Sequence, residues 1–315
     1  MFPTLIFFTM TRLKKTRKWM NSSGKSITPN SFLNSFLLVD KPCGPTSNDV
    51  LHLLKRKKIS SKIGHTGTLD PFASGLLVVG LGEALKFVSY LCEEPKVYEA
   101  SLKLGEATDT LDKMGKMTNV FPVPILDATK INLVFKNFLG PQTQIPPMFS
   151  AKKKEGKKLY ELARAGIEVV REAVPIRIDE LILMEWDSPL IRFRVSCSRG
   201  TYVRVLGADL ARKLGSGGHL TELRRVRAAC FDVKNAVNVE KEEVSENALV
   251  SIEEALSHYP SIFLQKDEAL ALRQGKRIVL DSKGDGIVRS YDGNLFLGLG
   301  KRDGSELKAE RLMSS

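Results

Sequence analysis

Metal ligands and redox pairs are scarce in this chain: of its 315 residues, only four are cysteine and four are histidine. Cys43, Cys92, Cys197 and Cys230 lie far apart with no CxxC or Cys/His spacing. That pattern argues against a structural zinc site and a disulfide framework, and fits a reducing interior. His52, His65, His219 and His258 are equally scattered, so any catalysis is expected to proceed without a metal. Long apolar runs are missing too. Phe2 to Phe8 is too short to span a bilayer, and its positive charges follow it, the wrong order for a secretory signal. No internal repeat is present. Acidic residues are absent before Asp40.

What is there is basic charge. Forty-eight Lys and Arg against 36 Asp and Glu leave a net +12, which favours an anionic partner such as nucleic acid or an acidic membrane surface. Half of that excess comes from Arg12, Lys14, Lys15, Arg17, Lys18 and Lys25 in the acid-free start. Residues 1–30 therefore read as a basic, disordered tail. An organellar transit peptide, an RNA-touching arm, and a start codon really placed at Met10 or Met20 all explain it. The length allows one large domain plus a smaller one.

Apolar patterning places a strand at Phe36 to Val39 and a helix after a cap at Ser47 or Asn48, followed by a loop over residues 60–75. A strand at Leu76 to Val79, a helix at Gly82 to Leu91 and an alternating strand at Lys96 to Leu104 come next. In that last strand Tyr98, Ala100, Leu102 and Leu104 share a face. Residues 105–124 read as a long loop, Thr129 to Leu139 as a helix, and Pro141 to Ser150 as a proline-rich connection. Between residues 151 and 171 seven Lys or Arg face three Glu, in a basic turn leading into a helix that ends near Gly166. Strands at Val174 to Trp186 and Leu190 to Cys197 then run into SRGTYVRVLGADLARKLG, with a helix containing Ala208 to Leu214. The fold class is α+β, a mixed, largely antiparallel sheet with flanking helices. KEEVSE marks a boundary, and the short strands at Ile287 to Ser290 and Leu295 to Leu299 give a small β-rich C-terminal domain. The domain reading is a tail over 1–30, a main domain over 31–258 with a basic insertion near 141–171, and the small domain over 259–315.

One stretch invites a chemical reading. GHTGTLDPFASG, residues 64–75, holds a single carboxylate. Pro71 keeps Asp70 out of helical geometry, and Gly64, Gly67 and Gly75 permit a tight path that can present the side chain at a cleft. An ordinary Asp-Pro turn explains the same residues. Neither the paired carboxylates of a glycosidase nor a nucleophile, base and orienter triad is visible around it.

Five ordered blocks between residues 36 and 225, namely LLVDKPCGPTSND, GHTGTLDPFASG, KVYEASLKLG, CSRGTYVRVLGADL and HLTELRR, resemble the bacterial tRNA pseudouridine synthase B family. The continuous PPMFSAKKKEGKKLYELARAGIEV is similar to the stand-alone bacterial type rather than the guide-RNA-dependent synthases that share the fold. The resemblance implies the pseudouridine synthase fold and isomerisation of uridine 55 in the T arm of tRNA. It implies no cofactor, no guide RNA, no membrane, and a cytoplasmic monomer, with organellar targeting by residues 1–30 as the alternative.

It also assigns roles. Asp70 becomes the catalytic residue, attacking the sugar or removing its C2′ proton, two routes the sequence does not separate. Tyr98 stacks on the extruded base and serves in proton transfer at C5, although on its own it reads as a half-buried core residue. Tyr202 and Arg204 join the pocket, Arg204 by pairing with Asp70, and Leu223 lines its floor. Lys41 matches a pocket position, with a structural bond to a loop carbonyl near Asp70 as the alternative. His65 contacts the displaced nucleotides. Lys152, Lys153, Lys157, Lys158, Arg164 and Arg224 are the expected RNA contacts, a solvated charged face being the plain alternative. Residues 192–227 form a second basic stretch, in which nine Lys or Arg face only Asp209 and Glu222.

Two features depart from the family pattern. Residues 260–315 are short for a C-terminal RNA-binding domain of the pseudouridine synthase and archaeosine transglycosylase type, of which LRQGKRIVL and GNLFLGLG resemble remnants. Arg199 stands where a lysine is frequent, which keeps the charge and changes the geometry. Two rival readings remain, a noncatalytic RNA-binding protein that uses Asp70 only to shape a loop, and a synthase acting on other RNAs or through a guide.

Overall fold

Alternation organises the centre of the molecule, for which the computed structural model describes residues 19–20, 26–27, 34–91, 95–150, 152–154, 156–242, 244 and 246–314. In the strand Lys96–Leu104, Tyr98, Ala100, Leu102 and Leu104 are buried on one face. Val97, Glu99 and Lys103 alternate with them and are only half-buried. This strand lies antiparallel between Gly218–Ala228 and Leu190–Cys197, so Tyr98 stands opposite Arg225 on one side and Val195 on the other. Val174–Asp187 and Gly140–Gln144 extend the sheet beyond Leu190–Cys197. Ser74–Leu81, Ser35–Lys41 and Leu249–Ser251 extend it the other way, and two short strands complete a ten-stranded sheet.

A parallel pairing joins Ser74–Leu81 to Gly218–Ala228 through Ser74 with Arg224 and Gly75 with Arg225. Gly75 has φ +100° there, and a Cβ would lie 2.3 Å from the Arg225 carbonyl oxygen. Only glycine permits that approach.

Each face of the sheet carries its own core. On the Tyr98 face, Leu37, Val39, Leu77, Leu102 and Phe193 pack with residues of the helices Ser47–Arg56, Ala128–Lys136 and Val203–Lys213. On the other face Phe36, Leu38, Leu76 and Val78 meet Phe87 from a 3₁₀ helix and Leu299 from a second, five-stranded sheet. Phe87 is wholly buried, a contribution of roughly 1.5–3 kcal/mol for such a side chain. The second sheet orders Ser261–Leu264, Gly286–Asp292, Leu295–Asp303, Glu306–Leu312 and Ile278–Val279 around the helix Lys266–Arg273. It encloses a separate core of Leu264, Leu272, Val288, Leu297 and Leu307. The architecture is therefore α+β, with a mixed, largely antiparallel sheet, flanking helices and a small β-rich C-terminal unit.

The structure departs from the sequence expectations at several elements. The first helix is capped by Thr46, in a reciprocal capping box with Asp49, not by Ser47 or Asn48. Ser47 is unavailable because its hydroxyl bonds the backbone of Leu69. The loop 60–75 contains a strand, Ile63–His65, and the loop 105–124 a hairpin of Glu106–Thr108 with Met117–Val120. Part of the proline-rich connection is an edge strand, Gly140–Gln144, in which Pro141 is tolerated. The helix containing Ala208 to Leu214 begins earlier, at Val203. Trp19–Met20 pairs with Ser26–Ile27, and the remainder of the expected 1–30 tail lies outside the described residues.

Candidate active site

The loop between Ile63–His65 and Ser74–Leu81 brings Asp70 to a cleft of about 270 Å³. Leu69 and Phe72, each 3% exposed, anchor the chain on either side of it. Ser47 fixes Leu69 by accepting its N–H at 2.9 Å, and the Gly44 N–H reaches the Pro71 carbonyl at 2.8 Å. Lys41 lies beneath this loop, wholly buried, with Nζ donating to the carbonyls of Pro42 and Pro45 at 2.8 Å and Pro71 at 3.5 Å. Burial lowers its pKa to about 8. Lys41 thus ties the Pro42–Pro45 turn to the residue after Asp70.

Arg204 completes the hold. It is 3% exposed, in the first turn of Val203–Lys213, where a cation opposes the helix dipole and needs compensation. Compensation comes from two carboxylates and two carbonyls. Its Nε lies 2.8 Å from Asp70 Oδ2, and Nη2 donates to Asp70 Oδ1 at 3.2 Å and to the Phe149 carbonyl at 2.8 Å. Nη1 donates to the Thr110 carbonyl at 2.8 Å and stands 3.4 Å from Asp112 Oδ2. Burial pushes the Asp70 carboxyl above its ordinary range; Arg204 opposes that shift, Asp112 adds to it, and Lys41 opposes it more weakly. The carboxylate is held in position by an arginine and still opens to the cleft, with 35% of its side chain exposed.

Tyr98, Tyr202 and Leu223 line the same cleft. Tyr98 is 8% exposed, and burial first raises its phenol pKa while the Arg225 guanidinium beside it pulls the other way. Tyr202 caps Val203–Lys213 without a side-chain bond of its own. Its peptide is instead clasped by Gln144, whose Oε1 accepts from the Tyr202 N–H at 2.8 Å while Nε2 donates to the Tyr202 carbonyl at 3.2 Å. His65 lies just upstream, on a strand paired to Ser74–Leu81, its buried Nδ1 without a hydrogen-bond partner among the described residues. Burial, then Arg225, lowers its pKa.

Sequence reasoning did not find Arg225, Asp112, Gln144 or Lys96. Arg225 was legible only as the second arginine of a doublet, and Asp112 lay in a segment read as loop.

The basic segments divide. Lys152, Lys157 and Arg164 are exposed around the short helix Leu159–Arg164, with the Arg164 guanidinium 5.5 Å from the centre of the Tyr160 ring. The side chains of Lys153 and Lys158 lie outside the described set. The second stretch is far less positive than its local count: Arg192 pairs with Glu185, Arg194 with Glu99, Arg204 with Asp70, Arg212 with Asp209 and Arg224 with Asp40. Arg224, expected on RNA, holds both Asp40 oxygens at 2.9 and 2.7 Å and precedes Arg225 on the strand, so it faces away from the Tyr98 side.

A buried arginine, a carboxylate open to a cleft and a tyrosine within it can position a flat ring and act on a bond beside it. Known proteins agree on the family. The family described as TruB family pseudouridylate synthase (N terminal domain) matches residues 54–203, the tRNA pseudouridylate synthase B C-terminal domain 204–269, and Pseudouridine synthase II TruB, C-terminal, 260–313. The tRNA pseudouridine synthase B of Azoarcus sp. is 41% identical over 292 residues, covering 91% of this chain and 97% of the relative. That of Aromatoleum aromaticum is 44% identical over 289 residues, 90% of this chain and 94% of the relative. A crystal structure of a Cbf5-Nop10-Gar1 complex matches the fold with TM-score 0.68 at 23% identity, over 94% of this chain and 90% of that one.

Proposed function

Because the chain belongs to the tRNA pseudouridine synthase B family, we propose that it converts uridine 55 in the T arm of tRNA to pseudouridine, acting through Asp70 on an extruded nucleotide. The observation that carries this reading is the Arg204-held Asp70 opening onto the cleft that Tyr98 lines. The bond from C1′ to N1 breaks, the base turns, a bond from C1′ to C5 forms, N1 regains a proton and the C5 hydrogen leaves. Nothing is consumed, so a single carboxylate that attacks C1′ or takes the C2′ proton and is then restored suffices.

Extrusion costs a few kcal/mol of unstacking, which a ring bearing on the base offsets. Tyr98 and Leu223 supply that surface. His65 would meet the nucleotides left behind, and Lys152, Lys153, Lys157, Lys158 and Arg164 would meet phosphates as the 141–171 insertion closes on the RNA. Two contacts support that closure: the insertion's root is tied to the site by the Phe149 carbonyl on Arg204 and by Gln144 on Tyr202. The C-terminal unit from residue 259 onward would add RNA surface. We read the chain as a cytoplasmic monomer working without a guide RNA.

Release of tritium from C5-labelled uridine in an unmodified tRNA transcript tests this. Wild-type protein should release label from position 55, and Asp70→Asn should release it at least ~10³-fold more slowly while still binding the transcript. Equal release from the variant would remove Asp70 from the mechanism, and binding without any release would favour a noncatalytic RNA-binding protein.

A further inference from the structure

Arg225 lines the cleft beside Arg204, and among the described residues no carboxylate forms an ion pair with it. It is 3% exposed, as buried as Arg204, and yet Arg204 holds Asp70 and Asp112 while the partners of Arg225 are two carbonyls and the neutral Tyr98 phenol. Its Nε donates to Leu76 at 2.7 Å and its Nη2 to Gly67 at 3.0 Å. Its field is felt by its neighbours, lowering the pKa of both His65 and Lys41. A buried guanidinium without a carboxylate is costly unless something supplies the missing charge.

Gly67 shows where that charge would lie. A Cβ built there would stand 3.6 Å from Arg225 Nη1 and 3.7 Å from Lys96 Nζ, so the two cationic heads converge on one small volume at the cleft wall. Neither a positive φ nor a clash demands glycine at this position, since both distances are ordinary contacts. What a side chain would do is cover the two heads. An absent side chain between two converging cations, in a cleft that also holds Asp70, makes an opening sized for a small anion.

We infer that Arg225 and Lys96, across Gly67, form a subsite for one backbone phosphate flanking the extruded nucleotide. This rests on the reading of the cleft as a nucleotide site. The subsite fixes the sugar of that nucleotide relative to Asp70, because Arg225 also carries the Gly67 carbonyl, three residues before it. The phosphate supplies the anion that the fold withholds.

The test first neutralises the ligand and leaves the protein unchanged. A T-arm stem-loop RNA is made with a methylphosphonate in place of the phosphate 5′ or 3′ to the target uridine, and binding and conversion are measured separately. One of the two linkages should weaken binding at least about tenfold, with a smaller penalty at high salt. Lys96→Met should weaken binding of the unmodified RNA by a similar factor, and the same methylphosphonate should then cost it much less. Full binding of both substituted RNAs beside normal conversion of the unmodified one overturns the subsite and leaves the proposed activity standing. A methylphosphonate penalty without conversion upholds the subsite and sinks the activity. An unmodified RNA neither bound nor converted sinks both.

Discussion

Two arginine–aspartate pairs lie on opposite faces of the same sheet, and their difference is why only one of them is proposed as a reaction centre. Arg224 and Asp40 form the better fork, with two bonds under 3 Å, but both side chains stay about a third exposed. The pair raises the arginine's pKa, chiefly through the hydrogen bond to Asp40, and otherwise satisfies itself. Arg204 and Asp70 are less evenly matched. Their arginine side chain is 4% exposed and shared among Asp70, Asp112 and two carbonyls, while Asp70 keeps a free flank toward the cleft. Fork geometry alone would choose the outer pair. Burial of the arginine and openness of the acid point instead to Asp70, the carboxylate proposed to act.

Removing each arginine should separate the pairs most sharply. Arg204→Met leaves Asp112 buried and Asp70 half-buried without their cation, and frees the Phe149 and Thr110 carbonyls, so a loss of about 3–5 kcal/mol is expected. Arg224→Met exposes one carboxylate to solvent and should cost no more than about 1 kcal/mol. Urea unfolding of both variants measures this, and equal losses would erase the distinction. Asp70→Asn should cost less than Arg204→Met, because Arg204 retains Asp112 and both carbonyls.

The pH dependence is the next largest effect. Burial raises the pKa of Asp70, so if the ionised form is active, the acid limb of kcat/KM should lie above the usual aspartate value of about 3.9. Arg204 pulls that pKa down, so Arg204→Lys, which keeps a charge but loses the fork, should move the limb further toward neutral. Stability follows with the opposite sign. A folded-state pKa above the unfolded one means that the folded state binds more protons in between, so this group's contribution to stability falls as pH rises through that window. Asp70→Asn should therefore gain on the wild type as pH rises across it. A kcat/KM limb at the ordinary aspartate position in both proteins would show that desolvation of Asp70 is not felt.

How much of this was legible in the sequence depended on whether the deciding neighbours were local. The Lys96–Leu104 strand announced itself because every other residue meets the core, and the loop around Asp70 because glycine and proline shape it directly. The strand Gly218–Ala228 went unread: its polar run TELRR looks like surface, and only the pairing to strands more than 100 residues away makes Leu223 and Arg225 interior. The charge of residues 192–227 misled for the same reason. Its arginines are neutralised by Asp40, Asp70 and Glu99, acids that a window along the chain never sees. Gln144 carried no local signal at all, since its partner is the peptide of Tyr202 and not a side chain. Chemistry that rests on backbone groups of a distant segment is invisible until the fold is known.

The smallest expected effect is at the outer pair, and it tests whether that pair touches the reaction. Asp40→Asn removes a carboxylate on the face opposite Tyr98, in the strand that ends at Lys41. If the pair is structural, stability should fall by no more than about 1 kcal/mol and conversion should stay within a few-fold. Arg224 would then be free to meet RNA, so binding should hold or tighten slightly at low salt. A large loss of conversion with stability intact would mean that Asp40 steers Lys41, and through the Pro71 carbonyl Asp70, making the two pairs halves of one device. Measuring conversion and unfolding on the same preparation decides between these, because a structural role leaves conversion within a few-fold while a steering role lowers it sharply with stability intact.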